Sequence, residues 1–285
     1  MTIDQKWIEE TFSDLAEISP LNHGGQKWVF RAKHKQDGDV VLKVVKPGGE
    51  PERVRREIVA AQRVVHPRVP VILEVGTCQS NLGECVWIRE QMISGECLRP
   101  ILTRGPLAAT EVLRLGLQLL ETLLATANEN LVHRDVKPDN IIKDAESAFW
   151  LIDFGLARHL DLESVTADQA PFGVGTVGYS APEQMRNRKG EIDGRADLFA
   201  VAITMYEAAT GVNPFRIGAS SALDVLQRSE TVPLPVLRLS LTNGSAHSLA
   251  DLIASMAQKR RDQRPRTVLE ALEWMREICA AEGVL

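Results

Sequence analysis

The sequence changes from strand-type to helix-type patterns between Glu90 and Gly95, and this change limits the possible folds more than any other feature. Before it, runs such as KWVFRAKH and DVVLKVVK are separated by an Asp/Gly turn of hairpin length. After it, TEVLRLGLQLLETLLATA and ADLFAVAITMYEAAT are apolar on most faces, as buried helices are. The pattern predicts an α+β fold, with a small β-rich lobe and one main helix over residues 1–92, and a larger α-helical lobe over residues 93–285.

Several elements can be placed within this division. A short helix that ends before Ser19 is predicted from four apolar residues at helical spacing, Trp7, Ile8, Phe12 and Leu15. A second helix is predicted for EPERVRREIVAAQRVV, and a second pair of strands for VPVILEVGT and ECVWIREQM. Thr110 is the predicted N-cap of the first long helix, and Gly211 is the predicted C-cap of a later one.

Charge and composition argue against several classes of protein. A net charge of -5 and a pI near 5.8 give no electrostatic basis for binding nucleic acid. The four cysteines lack CxxC spacing, which argues against zinc or disulfides and for reduced thiols in the cytoplasm. No apolar run reaches the roughly 18 residues of a membrane span, and the charged start MTIDQKWIEE lacks a leader-like core. We therefore expect a soluble, cytoplasmic protein without a membrane span.

Two apolar, strand-like segments, LVHRDVKPDN and WLIDFGLAR, each deliver polar groups at the same end. Asp135, Lys137 and Asn140 lie on the first segment, and Asp153 lies on the second. Phosphoryl transfer needs an acidic group that orients a hydroxyl, a cation near the transferred phosphate and oxygen ligands for magnesium. Asn140 and Asp153 offer the amide and carboxylate oxygens that suit Mg²⁺. The two segments together therefore indicate phosphoryl transfer.

The segment HRDVKPDN, with DFG beginning 18 residues after Asp135, resembles the catalytic loop and metal-binding segment of eukaryotic-type protein kinases. Further motifs similar to those of this family follow its order: VVLK, RREIVAAQRVVHP, GTVGYSAPE, ADLFAVAITMYEAATGVNPF and RRDQRP. The resemblance covers essentially the whole chain and implies the bilobal protein-kinase fold. It also implies nucleotide binding by residues 1–92, and catalysis, an activation segment and substrate binding in residues 93–285.

The resemblance implies a role for each matching catalytic residue. Asp135 is expected to orient the substrate hydroxyl and to accept its proton, and Lys137 to neutralise the γ-phosphate of ATP during transfer. Asn140 and Asp153 are expected to hold Mg²⁺. The implied cofactors are therefore ATP and Mg²⁺.

Nucleotide binding is implied for four further positions. Lys43, in the VAIK-like motif, is expected to hold the α- and β-phosphates, with Glu57 of the following helix as its partner. The backbone at Glu90 and Met92 is expected to bind adenine. The resemblance also implies four structural residues: His133 is expected to pack on the metal-binding segment, Asp197 to brace the catalytic loop, and Glu183 to pair with Arg264.

The stretch LNHGGQKWVF aligns with the glycine-rich loop of the family but departs from its pattern. Asn22, Gly24 and Lys27 stand where the family has three glycines, and Val29 follows at the family's valine position. Asparagine tolerates left-handed backbone better than most residues, and the Lys27 ammonium can approach phosphate as a point charge. We therefore assign these four residues to nucleotide binding by a loop of weakened shape.

Arg89 stands where the family usually has an apolar or small polar side chain bordering the adenine pocket. One alternative is a one-residue shift of the alignment that leaves Arg89 facing solvent. Otherwise its guanidinium needs a carboxylate, because a buried unpaired charge is costly. Glu57 as partner would compete with Lys43, whereas Glu74 as partner would leave the Lys43 pair intact.

Regulation by phosphorylation is also expected from the resemblance. Arg134 and Arg158 match arginines that commonly face a phosphorylated activation-loop residue, for which Ser164 and Thr166 are the candidates. Lys137, GTVGY and APE resemble the serine/threonine branch, so we expect transfer to serine or threonine of a protein substrate. Autophosphorylation, with a possible dimer acting in trans, fits the same reading. The alternatives are a pseudokinase that binds nucleotide without transfer and a small-molecule kinase of related fold.

Overall fold

The architecture comes from a computed structural model, which describes residues 5–22, 27–46, 51–154, 158–159, 175–241 and 244–284. The chain forms two compact units, one of Met1–Val65 with Pro70–Ile93 and the other of His66–Val69 with Ser94–Leu285. The second unit thus begins one residue after the position that the change of sequence pattern predicts. His66–Val69 also belongs to the second unit. The backbone N–H of Leu151 in that unit donates a hydrogen bond to the carbonyl of Arg68 at 3.1 Å.

Among its described residues, the first unit has an antiparallel sheet and two helices. In chain order these are α1 (Gln5–Thr11), β1 (Leu15–Asn22), β2 (Lys27–His34), β3 (Gly38–Val45), α2 (Pro51–Ala61), β4 (Ile72–Ser80) and β5 (Gly83–Gln91). The strands lie in the order β1-β2-β3-β5-β4. The two predicted strand pairs and the main helix α2 are therefore confirmed.

The sheet buries an apolar core on each face. One core is shared with α1 and contains Ile8, Phe12, Trp28, Phe30, Val40, Leu42, Val44 and Cys85. A smaller core on the other face is shared with α2 and contains Ile58, Val86 and Ile88. Because side chains alternate along a strand, Lys43, opposite Ile88, lies on the α2 face, and Arg89, opposite Leu42, lies on the α1 face.

The predicted first helix is longer than the observed one. α1 ends at Thr11, and Leu15 begins β1, where it pairs with His34 of β2. A turn joins the two elements, because the backbone of Leu15 donates to Phe12 O at 3.0 Å. Leu15 is buried at the start of the strand, and an apolar residue three positions after Phe12 also fits a helix, so the spacing could not distinguish the two.

The second unit is mostly helical. In chain order it has β6 (Glu96–Cys97), α3 (Leu98–Arg104), α4 (Ala109–Asn128), β7 (Leu131–Val132), β8 (Ile141–Lys143), β9 (Phe149–Leu151), β10 (Arg158–His159), α5 (Pro182–Met185), α6 (Gly194–Thr210), α7 (Ala222–Thr231), α8 (Ser245–Met256) and α9 (Val268–Ala281). Short 3-10 turns lie at Pro138–Asn140, Lys189–Glu191 and Arg261–Gln263. β6, β8 and β9 form one small sheet, and β7 pairs with β10.

Helix α6 lies at the centre of this unit, with almost every residue buried, and packs against α4, α8 and α9. Gly116 of α4 faces Met205 of α6, and a Cβ there would lie 2.4 Å from Met205 Cε, so the methionine side chain would have to shift. No helix in the described part of the chain has both the length and the apolarity to cross a membrane.

One predicted helix cap is confirmed and one is wrong. Gly211 ends α6 in the left-handed region, with φ of 78°. The N-cap of α4 is Ala108 and not Thr110, which lies inside the first turn. The Glu111 carboxylate accepts the Ala108 backbone N–H at 3.3 Å, so an acidic side chain of the first turn folds back onto the N-cap residue.

Candidate active site

The buried carboxylate of Asp197 holds the backbone of the segment that follows β7. Asp197, in the first turn of α6, accepts hydrogen bonds from the backbone N–H groups of His133 and Arg134, each at 2.8 Å. Burial raises the pKa of Asp197, while these two donors and the nearby charges of His133 and Arg134 oppose the increase. Asp197 thus holds the backbone immediately before Asp135.

Two residues of the site have left-handed backbone, which is uncommon for residues other than glycine. The φ angles of Arg134 and Asp153 are 69° and 68°. Such conformations cost free energy and persist where surrounding contacts determine them. For Arg134 those contacts include Asp197 and a 2.6 Å hydrogen bond from Gln184 Nε2 to its carbonyl.

Three side chains converge on Asp135. Lys137 Nζ lies 2.7 Å from Asp135 Oδ2, and Asn140 Nδ2 donates to the same oxygen at 2.9 Å and to the Asp135 carbonyl at 2.8 Å. The Thr176 hydroxyl donates to Asp135 Oδ1 at 2.6 Å and accepts from Lys137 Nζ at 2.7 Å. The arrangement keeps a buried carboxylate surrounded by donors, with a hydroxyl already on one of its oxygens.

Asn140 and Asp153 provide oxygens suited to a hard cation. Asn140 uses its amide nitrogen on Asp135, so its amide oxygen is the atom that it can give to a metal. The Ile152 backbone donates to Asn140 O at 2.9 Å, and the residue after Ile152 is Asp153. Within the described ranges no group of three or more His, Cys, Asp or Glu side chains could hold a metal ion. A Mg²⁺ ion with few protein ligands and several phosphate or water oxygens fits this donor set.

His133 and the Glu183–Arg264 pair support the site from the interior. The His133 ring meets Phe154 edge to face, with centroids 4.6 Å apart, and burial lowers the pKa of His133. Arg264 binds the Glu183 carboxylate through two nitrogens, at 2.7 and 2.9 Å, and both side chains are buried. The Arg264 guanidinium also donates to backbone carbonyls, so this buried ion pair has the additional hydrogen bonds that such pairs need.

In the first unit, Lys43 lies on β3 with 5% of its surface exposed. Its Nζ is 2.5 Å from Glu90 Oε1 on β5. Val29 is opposite Lys43 and Lys27 is opposite Val45, so both lie on the same face of the sheet as Lys43. The structure thus groups Lys27, Val29, Lys43 and Glu90 on the α2 face.

Several predicted site residues are described only in part or not at all. Gly24, Ser164 and Thr166 lie outside the described residues, as do the side chains of Asn22, Glu57 and Arg158. The backbone of Asn22 ends β1 opposite Val29, and Met92 follows the end of β5.

The solvent-facing alternative for Arg89 is wrong, because the residue is 8% exposed. Of the two carboxylates named as partners, Glu74 contacts it, with Oε2 2.7 Å from Nη2. Asp14 and Asp37 add contacts at 2.8 and 3.5 Å. Arg89 points to the α1 face, away from Ile88 and α2, so it is not placed to draw Glu57 from Lys43.

Two features of the site were missed by sequence reasoning: the Glu90 side chain and a network around Arg99. Arg99 of α3 binds Asp139 at 2.9 Å, Glu207 of α6 at 2.6 Å and the Tyr179 hydroxyl at 2.5 Å. Burial disfavours the charged form, but these partners together raise the pKa of Arg99. Arg99 is separated from its partners by 40 to 108 residues, so no local pattern could predict the network.

Comparisons with known proteins identify the family of the chain. The protein kinase domain family matches residues 16–275. Serine/threonine-protein kinase PknB of Mycobacterium leprae is 30% identical over 231 residues, which make up 78% of this chain and 36% of that protein. Serine/threonine-protein kinase pkn2 of Myxococcus xanthus is 30% identical over 278 residues, 94% of this chain and 32% of that protein. The chain spans about a third of the length of these curated relatives. It belongs to the protein kinase domain family.

Proposed function

We propose that this chain is a serine/threonine protein kinase that transfers the γ-phosphate of ATP to hydroxyl groups of proteins. The observation that carries the proposal is the network in which Lys137, Asn140 and the Thr176 hydroxyl all contact the Asp135 carboxylate. Such a carboxylate is suited to orient a hydroxyl and to take its proton.

The proposed reaction uses the positions of these atoms. A substrate hydroxyl binds Asp135 Oδ1 in the way that the Thr176 hydroxyl does now. Its oxygen attacks the γ-phosphorus, the bond from that phosphorus to the leaving oxygen of ADP breaks, and the hydroxyl proton passes to Asp135. Lys137, 2.7 Å from both Asp135 and Thr176, keeps its ammonium beside the acceptor oxygen and offsets negative charge on the phosphate in transfer.

The cation and the nucleotide have proposed ligands among these residues. Mg²⁺ would be held by the amide oxygen of Asn140 and the carboxylate of Asp153, and when bound it offsets the charge of the phosphates. Lys43, Lys27 and Val29 are proposed to contact the nucleotide, because they share one face of the sheet. Asn22, Gly24, Glu57 and the backbone of Glu90 and Met92 stay in the proposal on the family pattern alone.

The test is transfer of label from γ-³²P-ATP to the chain itself and to a casein acceptor, with Mg²⁺ present. We expect acid-stable label on serine or threonine after hydrolysis of the protein, and loss of all transfer when EDTA removes the cation. Nucleotide binding without any transfer would instead support a nucleotide-binding scaffold. Transfer confined to choline or an aminoglycoside would support a small-molecule kinase, a class in which the APE-type glutamate and its arginine partner are typically lacking.

Location and assembly are proposed on the sequence alone. The reduced cysteines suggest a cytoplasmic setting, and autophosphorylation in trans would use a transient dimer. If two copies react, the initial rate of autophosphorylation per molecule should rise with protein concentration. A rate that is independent of concentration would contradict transfer in trans.

A further inference from the structure

The Glu90 side chain is a buried carboxylate that the reaction proposed above does not use. It is 8% exposed, and its Oε1 lies 2.5 Å from the Nζ of Lys43, which is itself 5% exposed. Removing a carboxylate from water is unfavourable unless its charge is compensated, so the pairing with Lys43 accounts for the presence of Glu90 in the sheet.

The register of two neighbouring strands brings Glu90 to Lys43. Val41 is opposite Glu90 and Lys43 is opposite Ile88, so Lys43 and Glu90 are diagonal neighbours on one face. Diagonal positions in an antiparallel pair are within reach of long side chains. β3 and β5 pair continuously from Val40 to Val44, so the backbones that carry the two charges are joined by the sheet ladder.

Glu57 and Glu90 lie on different elements, Glu57 on the helix α2 and Glu90 on the strand β5. Glu57 belongs to α2, which packs on β5 through Ile58 and side chains such as Ile88. A pair between Lys43 and Glu57 depends on the position of that helix, whereas a pair between Lys43 and Glu90 depends only on the sheet. The Glu90 carboxylate can therefore hold the Lys43 ammonium without help from α2.

We infer that Glu90 is a positioning residue, whose carboxylate on β5 fixes the Lys43 ammonium for nucleotide binding in addition to Glu57. The nucleotide part of this inference rests on the proposed function. The ion pair itself does not, because it concerns the stability of the first unit.

A thermal-unfolding cycle tests the ion pair without ATP. Lys43→Met leaves Glu90 buried without this ammonium, so it should lower Tm by several degrees. Adding Glu90→Gln to Lys43→Met should recover at least half of that loss, because the uncompensated charge is removed. Adding Glu57→Gln to Lys43→Met is the matched control, and it should recover a smaller part of the lost Tm than Glu90→Gln does. No recovery from Glu90→Gln, or equal recovery from Glu57→Gln, would overturn the inference.

Steady-state kinetics test the positioning role. Glu90→Gln should raise KM for ATP at least about fivefold and change kcat less than about threefold, because it loosens a phosphate-binding group and leaves Asp135 intact. Glu90→Asp should restore part of the loss, and Glu84→Gln, at an exposed position of the same strand, should behave as wild type. Unchanged KM in Glu90→Gln would overturn the positioning role. Recovery in the unfolding cycle with no phosphate transfer by the wild type would contradict the proposed function and leave the ion pair standing.

Discussion

At the scale of single residues, Arg89 places a guanidinium on the α1 face of the sheet, opposite the apolar Leu42. Glu74 is directly opposite on β4, and Asp14 and Asp37 approach from outside the strand. All three carboxylates keep contact with water, while the guanidinium is largely enclosed. The charge is therefore compensated by local partners, and it has no evident connection to Lys43.

Arg89→Met should lower the free energy of unfolding by about 1–3 kcal/mol, because three carboxylates lose their shared cation. Nucleotide affinity should stay within about twofold of wild type, since Arg89 and Lys43 lie on opposite faces. Denaturant unfolding and nucleotide titration measure the two effects. Arg31→Met, which breaks an exposed pair with Asp39, is the control and should change stability by less than about 1 kcal/mol. Higher nucleotide affinity in Arg89→Met would show that Arg89 restrains the nucleotide site.

The residues of the site were predictable from the sequence only where a motif carries them. HRDVKPDN and DFG identified Asp135, Lys137, Asn140 and Asp153, and the structure gathers the first three into one network. The sequence identified Arg89 as unusual but left three environments open, because the choice among them depends on strand register. A shift of one residue along β5 exchanges Arg89 and Glu90 between the two faces of the sheet.

At the scale of secondary-structure elements, the short ladder between β7 and β10 connects the catalytic segment to the start of the activation segment. Arg158 pairs with Val132, two residues before Arg134. Arg158 therefore lies in the ladder and Arg134 lies two residues beyond it, with its side chain largely buried. Ser164 and Thr166 lie outside the described residues, and their role stays a prediction from the sequence.

Phosphorylation of Thr166 should raise activity, because a phosphate brings nearly two negative charges and three acceptor oxygens to the two arginines. Incubation with ATP should add phosphate within residues 161–170, and Thr166→Val should lower activity at least about threefold. Mass spectrometry locates the phosphate, and Ser164→Ala is the matched variant. An unphosphorylated segment, together with full activity in both variants, would contradict the switch.

Elements with strong periodicity were predicted well, and their ends were not. β2, β3 and α2 follow from alternation and helical spacing, whereas α1 was predicted too long because Leu15, three residues after Phe12, fits helical spacing but begins β1. The start of α4 was misplaced because its N-cap lies two residues earlier, at Ala108, whose backbone N–H bonds to the Glu111 carboxylate. Caps depend on which side chain reaches the free backbone groups, and several nearby residues can do so.

At the scale of the whole molecule, the free energy of unfolding depends on charged groups that folding buries, and Lys259 is one of them. Lys259 lies over the Phe215 ring with Nζ 4.1 Å from the centroid, and its Nζ is buried without a hydrogen-bond partner among the described residues. Burial lowers the pKa of Lys259 to about 8, and the Arg264 guanidinium adds to the shift. The ammonium form therefore destabilises the fold despite its contact with the ring.

Lys259→Met should raise the free energy of unfolding at pH 7 by about 1–2 kcal/mol. The gain is limited because the side chain is only partly buried, so solvent screens part of its charge. Between pH 8 and the ordinary lysine pKa of 10.5, the unfolded wild type holds a proton that the folded wild type has released. Wild-type stability should therefore rise with pH across this window relative to the variant, and the advantage of Lys259→Met should shrink. Denaturant unfolding at pH 7, 9 and 10.5 measures the difference. A constant difference at all three values would contradict a charged, buried Lys259.

The class of the whole fold was readable from the sequence because seven motifs occur in one order, but the long-range contacts that complete it were not. The Arg99 network with Asp139, Tyr179 and Glu207 joins residues far apart in the chain. Only the folded structure brings them together.

The most direct test of the central claim is the rate of phosphate transfer by Asp135→Asn, measured beside its nucleotide affinity. The substitution keeps the shape of the side chain and removes the group proposed to take the substrate proton. The transfer rate should fall at least about 100-fold, while ATP affinity stays within about threefold of wild type. Asp251→Asn, on the exposed surface of α8, should keep the wild-type rate. An Asp135→Asn protein that is folded and keeps more than about a tenth of the wild-type rate would contradict the assignment of Asp135 as the catalytic base.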